Sequence, residues 1–193
     1  IELTQSSLKT LWACPQRYKW RYVDMLDPID EGDRTAAVIG SVFHGLLDHK
    51  QKVQWGQDPP ARTYIASSAG TTLGSDAWKV GEFLVDQYVQ RYNMTTPLVL
   101  SESEVVFRGV HTRKNGLFLA GRRDAVVQEP NSKPLRLLLE RKTTGNLRAG
   151  FLDRASLDTQ VTFYLYSYWK QHGVLLDGCL YDIVQRPKTY RRK

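Results

Sequence analysis

The sequence predicts an α/β fold, a mixed central β-sheet flanked by helices, in the order helices, three adjacent strands, a helix and a last strand. Three observations predict it. Apolar residues recur at helical spacing through the first half of the chain. From about residue 98 the texture changes to β-type segments, with Asn115 and Gly116 as a hairpin turn between the first two. A further helical stretch then separates the third strand from a fourth.

Each element has its own signal. Residues 6–12 (SSLKTLW) read as a short helix with a serine cap. Residues 14–23, CPQRYKWRYV, are dense in aromatics and bases, and residues 27–34 form a polar loop. A helix runs from Thr35 to about Lys52, because Ile39, Val42, Phe43, Leu46 and Leu47 fall at i, i+3, i+4, i+7 and i+8. Residues 55–74 carry Gly, Pro, Ser and Thr and are expected to be the longest loop; residues 76–92 read as a second long helix. Segments 98–110 and 117–129 are strands, and a turn at 130–134 leads into a third strand at 135–143. A helix from about Asp153 to His172 and the strand GCLYDIVQ (178–185) follow, with a basic tail behind them. There is no internal repeat. One domain over 1–193 holds all of it: a mostly helical part at 1–95, a sheet core at 98–186 and the tail at 187–193.

A chain of 193 residues is long enough to bury one proper core. No apolar run reaches the length that crosses a bilayer, and no signal-peptide pattern is present. The sequence begins at Ile1, which suggests a processed chain or an excised fragment. A net charge of +7 favours a polyanionic partner, nucleic acid before an anionic membrane. The two cysteines, Cys14 and Cys179, give neither a disulfide framework nor a paired zinc spacing, which fits a reducing, cytoplasmic setting.

The stretch LLLERKTTG (137–145) runs an apolar strand into an acid and a lysine. Residues i and i+2 of a strand share a face, so Glu140 and Lys142 project together with Arg141 opposite. Alone, this reads as a partly exposed ion pair. The preceding strand, GRRDAVV, adds Asp124 beside a glycine, Gly121, that permits tight packing. Two adjacent antiparallel strands can bring Asp124 and Glu140 together, and two close carboxylates repel unless a divalent cation lies between them. Mg²⁺ takes oxygen ligands, commonly one or two of them protein carboxylates, and a lysine beside it can orient or polarise a water.

Five pieces in order resemble the PD-(D/E)XK nuclease superfamily, and within it the RecB-like exonuclease branch. SSLKTLWACPQRYKWRYV is similar to that branch's N-terminal segment. GSVFHGLL resembles its G-x-x-x-H helix, on Gly40 and His44. GRRDAVV resembles the aspartate motif, on Asp124. LLLERKTTG resembles E-x-K-T, on Glu140, Lys142 and Thr143. DTQVTFYLYSY resembles the Q-x-x-x-Y helix, on Gln160 and Tyr164. The resemblance implies a restriction-endonuclease-like core (α-βββ-α-β) and a metal-dependent DNA nuclease, an exonuclease of DNA processing, repair, recombination or replication. It implies His44, Asp124, Glu140 and the main-chain carbonyl of Arg141 as metal ligands for one or two Mg²⁺ or Mn²⁺ ions; the imidazole nitrogen makes Mn²⁺ plausible. Lys142 then positions the attacking water or stabilises charge on phosphorus. Gln160 and Tyr164 stand beside the site and Thr143 supports it. Glu104 is a further acid, tied in some members to a second metal.

Tyr168 is expected in the core and Glu102 in solvent. Arg17, Tyr18, Lys19 and Arg21 read as a phosphate- and base-contacting patch or as a solvated face. Arg122, Arg123, Arg148, Arg191, Arg192 and Lys193 are further bases that could track a backbone. Several RecB-like members hold a [4Fe–4S] cluster on one N-terminal cysteine and three that follow the Q-x-x-x-Y helix. Cys14 matches the first position, Cys179 falls too early, and two thiolates do not make four; no cluster is expected in the chain as given. The implied partner is DNA, with a helicase or recombination protein as a further candidate, and such sequences are commonest in bacteria and bacteriophages. Two alternatives stand: a catalytically weak DNA-binding subunit of the same fold, and an interaction domain with coincidental motifs. A large separation of Asp124 and Glu140 would remove both nuclease-fold readings.

Overall fold

A computed structural model describes residues 1–26, 34–95, 99–112, 116–130, 135–146 and 157–187. Most of the 27–34 loop and the 130–134 turn, Asn115, Arg148, the start of the helix expected near Asp153, and Arg191, Arg192 and Lys193 lie outside the described residues.

The chain opens with a two-residue strand β1 (Glu2–Leu3) and helix α1 (Gln5–Ala13). The cap of α1 is Thr4, not the expected Ser6. Thr4 Oγ1 accepts from the Ser7 amide at 3.1 Å and the Thr4 amide donates to Ser7 Oγ at 2.9 Å, a reciprocal box that satisfies two otherwise orphaned donors. A short α2 (Pro15–Tyr18) and a five-residue π-helical turn (Lys19–Val23) continue it, none of their residues buried.

Helices α3 (Thr35–Gln54) and α5 (Asp76–Thr95) match the two long helices expected. The apolar stripe of α3 is buried as its spacing predicts, with Val42 and Phe43 at 0% exposure. Each such side chain contributes roughly 1.5–3 kcal/mol of transfer free energy. The axes approach closely because Gly81 of α5 lies on Val42: a Cβ there would sit 2.4 Å from Val42 Cγ1. The expected long loop at 55–74 is corrected by α4 (Arg62–Ser68), whose Ile65 packs on Gly45 of α3 with no room for a Cβ.

Strands β2 (Val99–His111), β3 (Phe118–Gln128), β4 (Arg136–Thr144) and β5 (Gly178–Gln185) form a mixed sheet with β1, and helix α6 (Thr159–His172) connects β4 to β5. β2–β3 and β3–β4 are antiparallel; β4–β5 and β1–β3 are parallel. β2 occupies one edge of β3 along its length. β1 and β4 therefore share the other edge: β4 pairs with residues 125–128 and β1 with Phe118 and Leu119. Between them, residues 120–124 of β3 face a gap in the ladder. On one side of the sheet, α3, α4 and α5 build a core with Ile39, Phe43, Leu84 and Tyr88, joined by Val184 of β5. On the other, Phe163 and Tyr168 of α6 pack on Phe107, Val126 and Leu138, with Leu8 of α1 against them. The mixed central sheet flanked by helices is thus as expected, and Tyr168 is buried.

Candidate active site

The gap beside β3 is where the chemistry gathers. The β3–β4 ladder ends at Ala125–Leu139. One step on, the side chain of Asp124 takes over from the backbone: its Oδ2 accepts the Arg141 amide N–H at 2.7 Å. Glu140 is fully buried, and its Oε1 accepts from Lys142 Nζ at 2.5 Å and from Gln160 Nε2 at 2.8 Å. The strand period puts Lys142 on that face. Its ammonium also donates to Gln160 Oε1 at 2.8 Å, so one amide clips the acid and the base together.

Gln160 is held by the start of α6. Asp158 caps the helix through Oδ1 to the Gln160 amide at 2.9 Å, and its Oδ2 accepts from Tyr181 Oη of β5 at 3.1 Å. Tyr164 follows one turn later and its Oη accepts from Gln160 Nε2 at 3.2 Å. Burial, with Glu140 and Asp124 near it, pushes that phenol above the usual tyrosine range, so it stays a neutral hydroxyl.

His44 arrives from α3. Gly40, one turn before it, sits close to β4: a Cβ there would stand 3.2 Å from Thr143 Oγ1. His44 Nδ1 lies 3.1 Å from Glu104 Oε1 and 3.5 Å from Asp124 Oδ1. Burial lowers its pKa, but the charge of Asp124 and the hydrogen bond to Glu104 outweigh burial and raise it. Glu140 is pushed up to about 7, first by burial and then by the charge of Asp124, against the pull of Lys142.

Glu104, the further acid expected from the sequence, joins the site from β2. Successive residues of a strand point to opposite faces, yet Ser103 and Glu104 both reach α3. Ser103 Oγ donates to Gln51 Oε1 at 2.6 Å while Glu104 meets His44. A left-handed backbone at Glu104, φ 47°, makes this possible. No local sequence signal marks such a break.

The donor set fits a divalent cation. Ligand atoms of His44, Glu104 and Asp124 lie within 4.8 Å of one another. Glu104 Oε2 and Glu140 Oε2 are buried without a hydrogen-bond partner, which is costly for carboxylates unless a cation completes them. Arg122 Nε stands 2.9 Å from Glu104 Oε2 but is not aimed to hydrogen-bond it, so the guanidinium screens the charge without capping the oxygen. Oxygen ligands with one imidazole suit Mg²⁺ or Mn²⁺. These groups open into a cavity of about 510 Å³ walled by Gly40, His44, Arg122, Lys142, Gln160 and Tyr164. A larger groove of about 690 Å³ between α3 and α5 holds ion pairs such as Lys50–Asp86 and no such convergence.

Residues 2–190 match the family profile of the PD-(D/E)XK nuclease superfamily. The chain belongs to the PD-(D/E)XK nuclease superfamily. Its mixed sheet flanked by helices is the restriction-endonuclease-like fold of that superfamily, and membership implies a divalent-metal-dependent nuclease with DNA as substrate. No curated protein sequence matches the chain.

Of the residues expected at the site, Asp124, Glu140, Lys142, Gln160, Tyr164, His44 and the Arg141 backbone come together around the gap, and Thr143 lines the same cavity. Two expectations are corrected. Arg123 cannot track a DNA backbone: it is 1% exposed, donates to Gln171 Oε1 at 2.9 Å and lies over the Phe107 and Tyr168 rings. Glu102 is not a solvated acid, because its carboxylate turns inward to within 3.7 Å of that buried guanidinium. Arg17, Lys19 and Arg21 are exposed, and Lys19 is paired with Asp24. Cys14 is a free thiol whose Sγ accepts from the Arg17 amide at 3.4 Å, and Cys179 is free with its thiol pushed up to about 12 by burial and the charge of Glu140. Among the described residues no helix is long and apolar enough to cross a membrane.

Proposed function

We propose that this PD-(D/E)XK protein is a Mg²⁺- or Mn²⁺-dependent deoxyribonuclease of the RecB-like branch that degrades DNA from its ends, in DNA processing, repair, recombination or replication. The observation that carries the reading is the seating of Glu140 and Lys142 at hydrogen-bond distance, clipped by Gln160 and set beside Asp124 and His44. What favours the RecB-like branch is that the G-x-x-x-H helix and the Q-x-x-x-Y helix supply two walls of one cavity.

His44, Asp124 and Glu104 would hold the cation, with the free oxygen of Glu140 and the Arg141 carbonyl as further oxygen ligands. Bound there, the cation supplies Lewis-acid polarisation of the scissile phosphate. Lys142, seated on Glu140 and aimed by Gln160, would position the attacking water or stabilise the developing charge on the phosphoryl oxygens. Tyr164 stays protonated and holds the Gln160 amide rather than acting as a base.

The test compares end-labelled linear DNA with a closed circle in Mg²⁺, Mn²⁺ and EDTA. Metal-dependent loss of the linear DNA with the circle spared is the expected result. Cleavage of the circle would make the protein an endonuclease. Binding without cleavage in either metal would favour a DNA-holding subunit.

A further inference from the structure

The face of β4 turned away from the cavity carries a buried polar cluster that the reaction does not use. Arg141 projects there, 2% exposed. Its Nε donates to Tyr88 Oη of α5 at 3.0 Å, and its guanidinium lies 5.6 Å from the centre of the Tyr88 ring. Asp182 stands opposite Arg141 in the β4–β5 ladder. Its charge, after burial, raises the hydroxyls of both Tyr88 and Tyr92. Tyr88 is wedged edge-on against Phe43, the neighbour of His44 in α3, with ring centroids 5.6 Å apart.

Packing alone does not call for these groups. Burying a guanidinium, a phenol and a carboxylate is unfavourable beside an apolar set of the same volume. The arginine is also the residue whose backbone meets the metal-site acid: its N–H seats Asp124 at 2.7 Å. In an extended strand the N–H and C=O of one residue point toward the same neighbouring strand. The N–H that reaches Asp124 therefore fixes the carbonyl on the same side, and the β3–β4 ladder has already ended there. An arginine clamped from behind cannot let that peptide turn.

We propose that Tyr88 is a positioning residue of the metal centre: through Arg141 it sets the peptide that seats Asp124 and turns a carbonyl oxygen toward the cation. This rests on the metal centre proposed above and adds to it a tether from α5 that touches neither metal nor substrate. The class of role is that of outer partners that orient metal ligands, whose loss weakens metal affinity by about tenfold or more.

The experiment is Mn²⁺ binding to the full chain without DNA, read as free Mn²⁺ by electron paramagnetic resonance. Tyr88→Phe keeps the ring and removes the bond to Arg141; its Kd is expected about tenfold weaker than wild type. Tyr92→Phe removes a neighbouring, half-buried hydroxyl that does not bond Arg141, and its Kd is expected unchanged. Arg141→Met, the second variant should Tyr88→Phe fold poorly, is expected to match Tyr88→Phe, and adding Tyr88→Phe to it should cost nothing further. A Tyr88→Phe protein that melts earlier but binds Mn²⁺ within twofold of wild type would overturn the proposal, as would a full effect surviving in the Arg141→Met background. Asp124→Ala separates the two readings. If it leaves Mn²⁺ binding intact, the metal centre itself is wrong; if it abolishes binding while Tyr88→Phe does not weaken it, the tether alone fails.

Discussion

Glu104 holds a backbone conformation that a side chain other than glycine adopts at a cost of about 1–3 kcal/mol. Its return is a third candidate ligand atom beside His44 and Asp124. Glu104→Gly should therefore move two quantities in opposite directions. Thermal stability in EDTA should rise, by roughly 1 kcal/mol, because the strain and one buried acid are removed. Mn²⁺ affinity should fall by about tenfold or more. Calorimetry and a metal titration on the same sample decide it; a loss of both would make Glu104 a structural residue. Glu140 gives a pH prediction for the metal-free protein. Its ordinary pKa is 4.5, and beside Asp124 in the folded chain it keeps its proton to about 7. Across that window the unfolded chain releases a proton that the folded chain retains, so this carboxyl's contribution to stability falls as pH rises and levels off above it. Glu140→Gln has no proton to release there. Its stability relative to wild type in EDTA should climb between about pH 4.5 and 7. A difference that stays flat with pH would show that the buried carboxyl ionises normally.

At the scale of elements, α3 is set against α5 and α4 by two helix contacts that admit no side chain. A Cβ at Gly81 would meet Val42 at 2.4 Å. Alanine there gains about 1 kcal/mol of helix propensity, but overpacking costs roughly 1–3 kcal/mol. Gly81→Ala is expected to destabilise by about 1 kcal/mol net, measured by urea unfolding; a stabilised variant would show that α3 and α5 can part freely. This contact also marks what the sequence could express. The spacing of Ile39, Val42, Phe43, Leu46 and Leu47 is local, so α3 was legible, as were α5 and the four long strands. α4 was not, because Ile65 and Ala66 sit in a Gly, Pro, Ser and Thr-rich stretch and become helical core only against Gly45. β1 was not, because its two residues pair with Phe118 and Leu119 more than a hundred positions away. Of Glu102 and Glu104, Glu102 alone was misjudged, because no local signal shows which way its carboxylate turns. The left-handed residue sends Glu104 to α3, while Glu102 stays with Arg123 on the α6 side. The Asp124, Glu140 and Lys142 grouping was readable because a period of two and one hairpin suffice to build it.

At the scale of the molecule, the fold makes its site by leaving a place empty. β4 and β1 share one edge of β3 and leave residues between them unpaired, so a carboxylate takes an amide where a carbonyl would have done. Helices from both faces close on that gap, α3 with His44 and α6 with Gln160. A basic chain of net charge +7 brings a polyanion toward it. The most direct measurement is the single-turnover cleavage rate of a labelled linear duplex by wild type, Lys142→Ala and Asp124→Ala, each with Mn²⁺ and with EDTA. Cleavage by wild type with Mn²⁺, none with EDTA, and losses of about a hundredfold or more in both variants are expected of a PD-(D/E)XK site at this gap. Wild-type rates in either variant, or cleavage that survives EDTA, would contradict it.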